Sequence, residues 1–157
     1  MGYLMRSKAL LATLADTIIP KTDSPSASEC GVHEFIISRI QNCTETKTQN
    51  TFIAGLKELE EYTTSRFGKT FDECNQINRN AILQHFAQHD ELGAGKIARV
   101  QTFFLGRPFF ATLKEYCIIG YFTSEGGATQ ALRYSHIPTA YIACEPYTMG
   151  EKAWATH

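Results

Sequence analysis

Apolar residues recur at three- and four-residue spacing along nearly the whole chain, and no segment shows a convincing alternation of period two. This pattern predicts an all-α protein, a single compact domain of about five or six helices with an irregular C-terminal tail from Ser135. The first helix is expected over residues 7–19, with Leu10, Leu11, Leu14 and Ile18 on one face and Pro20 as its stop. A second is expected over residues 32–43, presenting Phe35, Ile36 and Ile40, followed by the polar link "TETKTQN". A third, over residues 49–67, places Phe52, Leu56, Leu59 and Thr63 on a core face, and Gly68 follows as its C-terminal glycine. Phe71 pins the next turn. A fourth helix over residues 75–88 uses Ile82, Leu83 and Phe86, and "DELGAG" reads as a loop. Gly106 and Pro108 interrupt the following apolar stretch, Pro108 suiting the first turn of a fresh helix. That helix is expected to bury Phe109, Phe110, Leu113, Cys117, Ile118 and Tyr121. It is the most apolar segment, which puts it at the centre of the fold. Gly126 and Gly127 end it, and a short helix over residues 128–134 precedes the tail.

The segment "LADTIIPKTDSPSASECGV", residues 14–32, departs from this regularity. An apolar helix runs directly into a polar loop holding Pro20 and Pro25. Proline lowers the entropy that a loop loses on being ordered, so this is a loop built to be held against something.

Composition adds exclusions. The 157 residues suit one domain with a real core. Fifteen Lys and Arg against sixteen Asp and Glu leave a net charge of -1, without the basic excess of nucleic-acid modules. No apolar run reaches the roughly 18 residues of a membrane span; the closest, "FFATLKEYCIIGYF", carries Lys114 and Glu115. The N-terminal stretch is closed by Asp16 and lacks a small-residue cleavage site, so it reads as a folded helix rather than a signal peptide. None of the five cysteines (Cys30, Cys43, Cys74, Cys117 and Cys144) forms a C-x-x-C pair. Buried free thiols are expected, with one or two bridges open to an oxidising compartment.

Four groups invite a chemical reading. His85 and His89 stand at i and i+4, where one metal could bridge two imidazoles, with Asp90 or Glu91 as a further ligand. The glutamate that would follow the first histidine in a zinc protease is replaced by Phe86, a core residue, so solvated helix-end histidines are the better reading. Cys30 and His33 form a C-x-x-H without a third group to orient a base. "SEGGATQA" holds paired glycines at a helix boundary but neither the G-x-G-x-x-G nor the Walker lysine pattern. A helix end followed by a new start explains both glycines. "ELEE", residues 58–61, is a carboxylate cluster whose polar members lie on a solvated face. No catalytic constellation stands out, and the chain reads as a binding or accessory protein. Ten Phe and seven Tyr are many for a small helical domain. Tyr141, Tyr147 and Trp154 in the tail either fold back on the helices or enter a partner.

Four stretches in order resemble the gluconate 2-dehydrogenase subunit 3 family, the small subunit of bacterial flavin-dependent sugar and polyol dehydrogenases. They are "LLATLADTIIPKTDSPSASECGV", "FIAGLKELEEYTTSRFGKTFDEC", "FFATLKEYCIIGYFTSEGG" and "LRYSHIPTAYIACEPY", the last with "GEKAWA" behind it. Each is moderately specific; together they cover most of the chain. The resemblance implies an all-α subunit with no cofactor and no catalytic residue of its own. It implies a partner, a GMC-type large subunit that holds FAD and oxidises a sugar hydroxyl, passing electrons to a cytochrome c or another acceptor. It also implies a periplasmic complex exported as a folded pair, although no Arg-Arg pair of a twin-arginine signal precedes the first helix here. Asp16, Pro20, Gly55, Phe109, Gly120, Tyr121, Ser124 and Glu125 match the family's motif positions and are expected to be structural or docking residues, with Pro25 beside them. Two rivals stand against this reading. One is a stand-alone helical enzyme or metal protein using His85 and His89, and the other is a secretion chaperone that leaves once its partner has folded.

Overall fold

The computed structural model describes residues 2–92, 106–133, 144, 146 and 148–154. Among the described residues six α-helices form: α1 (Gly2–Arg6), α2 (Lys8–Ile18), α3 (Val32–Asn42), α4 (Thr46–Phe67), α5 (Gln76–Leu92) and α6 (Phe109–Phe122). A 3₁₀ turn at Phe71–Glu73 joins α4 to α5, and a π-helical turn at Gly127–Ala131 follows α6. Among the described residues the sole β feature is an isolated bridge between Arg133 and Trp154. The all-α expectation therefore holds.

α6 is the centre of the bundle, packed on α3, α4 and α5 and touching α2. Its Phe109, Leu113, Tyr116, Cys117 and Tyr121 are buried, each worth roughly 1.5–3 kcal/mol for a large apolar side chain taken from water. Leu10, Leu11 and Leu14 of α2, Ile36 and Ile40 of α3, Phe52, Leu56 and Leu59 of α4, and Ile82 and Phe86 of α5 close around it. Ile18 and Phe35 lie at the edge of this core, half-buried.

Several boundaries differ from the sequence expectation, each for a local reason. α4 starts at Thr46, inside the stretch read as a link, because the Gln49 N–H reaches the Glu45 carbonyl at 2.9 Å and the Gln49 side chain donates to the Thr44 carbonyl. α4 ends at Gly68, whose φ of 65° is left-handed backbone, the conformation a C-terminal glycine supplies without strain. Thr70 and Glu73 form a capping box, and the Arg79 guanidinium donates to the carbonyls of Phe71 and Asp72, fixing the turn into α5. α5 runs on through His89 and Asp90 to Leu92, because the Asp90 carboxylate accepts the Ala111 N–H at 3.0 Å and so serves the first turn of α6. Thr48 performs the matching service from α4, accepting the Arg107 N–H at 3.2 Å.

α6 itself ends at Phe122, short of the glycines expected to stop it, and the helix expected over residues 128–134 is, as far as the described residues run, a π turn that ends at Ala131. Ile118 corrects the core assignment: it is 41% exposed, beside Ile119 at 40% and Phe122 at 41%. α6 is apolar nearly all round, and the charges that mark its open side are two, Lys114 and Glu115, one turn before Ile118 and Ile119.

Candidate functional site

The polar loop after α2 is strapped down at two points. At its far end Asp16, in the last turn of α2, accepts the Ser28 N–H at 2.7 Å and the Ser28 hydroxyl at 2.6 Å. A carboxylate holding two donors in this way makes charge-assisted bonds, stronger than neutral ones. In its middle, the Tyr121 hydroxyl donates to the Pro25 carbonyl at 2.8 Å and stands 3.1 Å from Ser24 Oγ. Tyr121 is 2% exposed, so the ring fills the core while its hydroxyl finds a partner at the rim. Between the straps Ala27 is fully buried and its N–H reaches the Ile19 carbonyl.

The chain after α6 completes the corner. The Ser124 hydroxyl donates to the Tyr121 carbonyl at 2.6 Å and accepts the Gly127 N–H at 3.0 Å. A Cβ on Gly126 would lie 2.9 Å from Cys30 Sγ and 3.2 Å from Pro25 Cγ, and a Cβ on Gly127 would drive into the Tyr121 carbonyl oxygen. Close approach is what these two glycines provide, in place of the helix-end role read from the sequence. An open cleft of about 360 Å³ remains between loop and turn, lined by Glu29, Cys30, Ser124, Glu125, Thr129 and Gln130 among others. Glu29 pairs with Lys21 at 2.7 Å and accepts the Ser26 N–H; Lys21, then Ser26, holds its carboxyl below the usual range. Glu125 is exposed and makes no ion pair among the described residues.

The structure thus brings Asp16, Pro25, Tyr121, Ser124 and Glu125 together. Pro20 is exposed at the loop's entry. Gly55 and Phe109 meet elsewhere, between α4 and α6: a Cβ on Gly55 would stand 2.8 Å from Phe109 Cδ2 and closer still to Cγ and Cβ. The Phe109 ring lies 5.3 Å from that of Phe52 and 5.9 Å from that of Phe86. Gly120 gives the Phe35 ring room in the same manner, a Cβ there reaching 2.7 Å from Cδ1. Trp154 folds back: the Arg133 guanidinium sits 4.2 Å over its ring, the Arg133 N–H donates to the Ala153 carbonyl at 2.8 Å, and Arg133 pairs with Glu151. Tyr141 and Tyr147 lie outside the described residues.

The histidine pair is spent differently. The His85 ring stacks on Tyr62 at 4.3 Å, with an interplanar angle of 7°. His89 is exposed, and Asp90, named above as a further ligand, caps α6. Among the described residues no group of three His, Cys, Asp or Glu is placed to hold a metal ion. His33 has its Nδ1 buried without a hydrogen-bond partner, and no bond joins it to Cys30. All five cysteines are free: Cys74 and Cys117 are buried, Cys30 is half-buried, and Cys43 and Cys144 are exposed rather than buried as expected. Burial pushes the Cys117 thiol up to about 12, which leaves it inert. No described helix is long and apolar enough to cross a membrane.

Sequence reasoning missed Ser28, Thr48 and Arg133, each an ordinary polar residue whose partner lies 12 to 59 positions away or in the tail. No curated protein and no solved structure matches the chain. The model of the gluconate 2-dehydrogenase subunit 3 family matches residues 6–138, which include Asp16, Gly55, Phe109, Tyr121 and Ser124, and the chain therefore belongs to that family of gluconate 2-dehydrogenase subunits.

Proposed function

We propose that this chain is the non-catalytic small subunit that binds and stabilises a GMC-type, FAD-containing large subunit, and assists its export to the periplasm. The large subunit holds the flavin and oxidises a CH–OH group of a sugar or glycoside; a cytochrome c or another acceptor takes the electrons. Membership of a family of dehydrogenase subunits, over residues 6–138, carries this reading. The use made of the motif side chains supports it. Asp16, Tyr121 and Ser124 turn their polar atoms onto the chain's own loop and backbone, and Gly55 and Gly120 serve close packing. Such residues shape a surface rather than act on a substrate.

The test is co-expression of the large flavoprotein subunit of the same organism with and without this chain. The expected result is a stable 1:1 complex, a higher yield of yellow, FAD-loaded large subunit, and no sugar oxidation by this chain alone. A chain that stays monomeric beside the flavoprotein, and changes neither its yield nor its rate of dye reduction, overturns the proposal. A complex that forms and then releases this chain once the flavoprotein has folded assigns it instead to the transient chaperones.

A further inference from the structure

We infer that the open side of α6 and the cleft at its C-terminal end form one docking surface, and that its occupant is a segment of the large subunit carrying a basic side chain beside apolar ones. The inference rests on the subunit reading above and locates the contact that reading requires.

Ile118 and Ile119 stand four and three positions before Phe122 on α6, so each flanks it on the side that α3, α4 and α5 leave uncovered. At about 40% exposure each, out of roughly 200 Å² for a large side chain, they show water roughly 80 Å² apiece. That sum is well short of the roughly 800 Å² per partner of a standard interface. The stripe is the apolar middle of a contact that must extend beyond it. The chain continues it at the helix end, where Phe122 packs edge-on against Tyr121 at 5.3 Å and Tyr121 holds the 24–25 loop over the cleft.

The chemistry changes sign there. The described residues that line the cleft include Glu29, Glu125, Ser124, Thr129 and Gln130 and no Lys or Arg; the nearest cation on that side, Lys152, is already engaged, donating to the Gln130 carbonyl. Lys21 answers Glu29 from outside that lining, and Glu125 has no ion pair among the described residues. A volume of about 360 Å³ with two glutamates in its lining fits a guanidinium or ammonium group with its stem. At the other end of the stripe stand Lys114 and the Arg107–Glu115 pair. The surface is thus polar at both ends with its free negative charge at one, which sets the direction in which a partner segment lies.

The test measures binding of the large subunit to wild-type chain and to F122S, I118S, E125Q, E125K and I77S. All of these positions are exposed, so folding is checked by an unchanged melting curve. Expected are a loss of about tenfold or more for F122S and I118S, as for the apolar centre of an interface, and a larger loss for E125K than for E125Q. With E125Q the salt dependence of binding should also flatten, and I77S, on α5, should bind as wild type. If wild type assembles and F122S, I118S and E125K assemble equally well, this surface is wrong while the subunit reading stands. If wild type fails to assemble, both fall. If the chain alone forms a dimer that F122S abolishes, the occupant is a second copy and the inference is overturned.

Discussion

Replacing Gly55 by alanine tests whether the family's glycine in α4 is there for packing. In an open helix interior this change stabilises by about 1 kcal/mol, because alanine is the better helix former. Here the added methyl would stand 2.8 Å from Phe109 Cδ2 and closer to Cγ and Cβ. Part of the obstacle is thus the Cβ of residue 109 itself, so α4 and the start of α6 must move apart. Overpacking of this kind costs typically 1–3 kcal/mol, and with several atoms inside contact distance the upper end applies. Against the propensity gain, the net loss is about 2 kcal/mol. For a chain of this size that lowers the melting temperature by roughly 4–8 °C. Thermal unfolding followed by circular dichroism measures it directly. A second variant sharpens the test. F109A alone costs about 3–5 kcal/mol, since it abandons Phe52 and Phe86, but it retains the Cβ. Gly55→Ala should therefore still destabilise in the F109A background. A melting temperature for G55A equal to or above wild type would refute the packing argument.

Two further outcomes follow from the straps and from α1. Tyr121→Phe removes the bond to the Pro25 carbonyl, which is half-buried and can take a water in exchange; the loss is about 1 kcal/mol, and the amides of Ala27 and Cys30 should exchange hydrogen faster, unchanged exchange counting against the strap. Burial, with help from the adjacent Glu60 carboxylate, pushes the Tyr3 hydroxyl up to about 12. Since this lies above the value of about 10 in an unfolded chain, the fold gains from the protonated phenol below pH 10 and loses that gain as pH climbs to about 12. Melting temperatures taken from pH 9 to 12 should fall more steeply for wild type than for Y3F, and parallel curves would remove Tyr3 from the account.

How much of this was legible in the sequence depends on the distance over which each feature is decided. The core face of α4 and its stop at Gly68 depend on periodicity and on one left-handed residue, and both were readable. The end of α5 was not. "DELGAG" has the composition of a loop, yet Asp90 stays helical to accept a donor 21 residues onward. Ile118 reads as core because α6 is apolar nearly all round, and Lys114 and Glu115, one turn before Ile118 and Ile119, are the sparse mark of the side that stays wet. The loop after α2 reads as one to be held against something, and within the chain the holders are Asp16 and Tyr121, which the sequence does not mark. Nothing marks Ser28 among the loop's small residues as the partner of Asp16, and the Tyr121 hydroxyl reaches Pro25 from 96 positions away. The paired glycines were visible, but their reason, room for a sulfur and a carbonyl oxygen, is a property of the assembled corner.

The position of α6 has a consequence for the order of events during synthesis. The helix at the centre of the bundle is residues 109–122, so the ribosome delivers α2, α3, α4 and α5 before the element they surround. Until it arrives, their apolar faces have no common filler, and Thr48 and Asp90 wait with no helix start to cap. Domains fold as units, and unfilled apolar surface is the state most exposed to aggregation. A chain that ends before residue 109 is therefore not a smaller version of this fold but an empty shell of it. The nascent chain has its longest period of risk late in translation, when most of its length is made and its core is not.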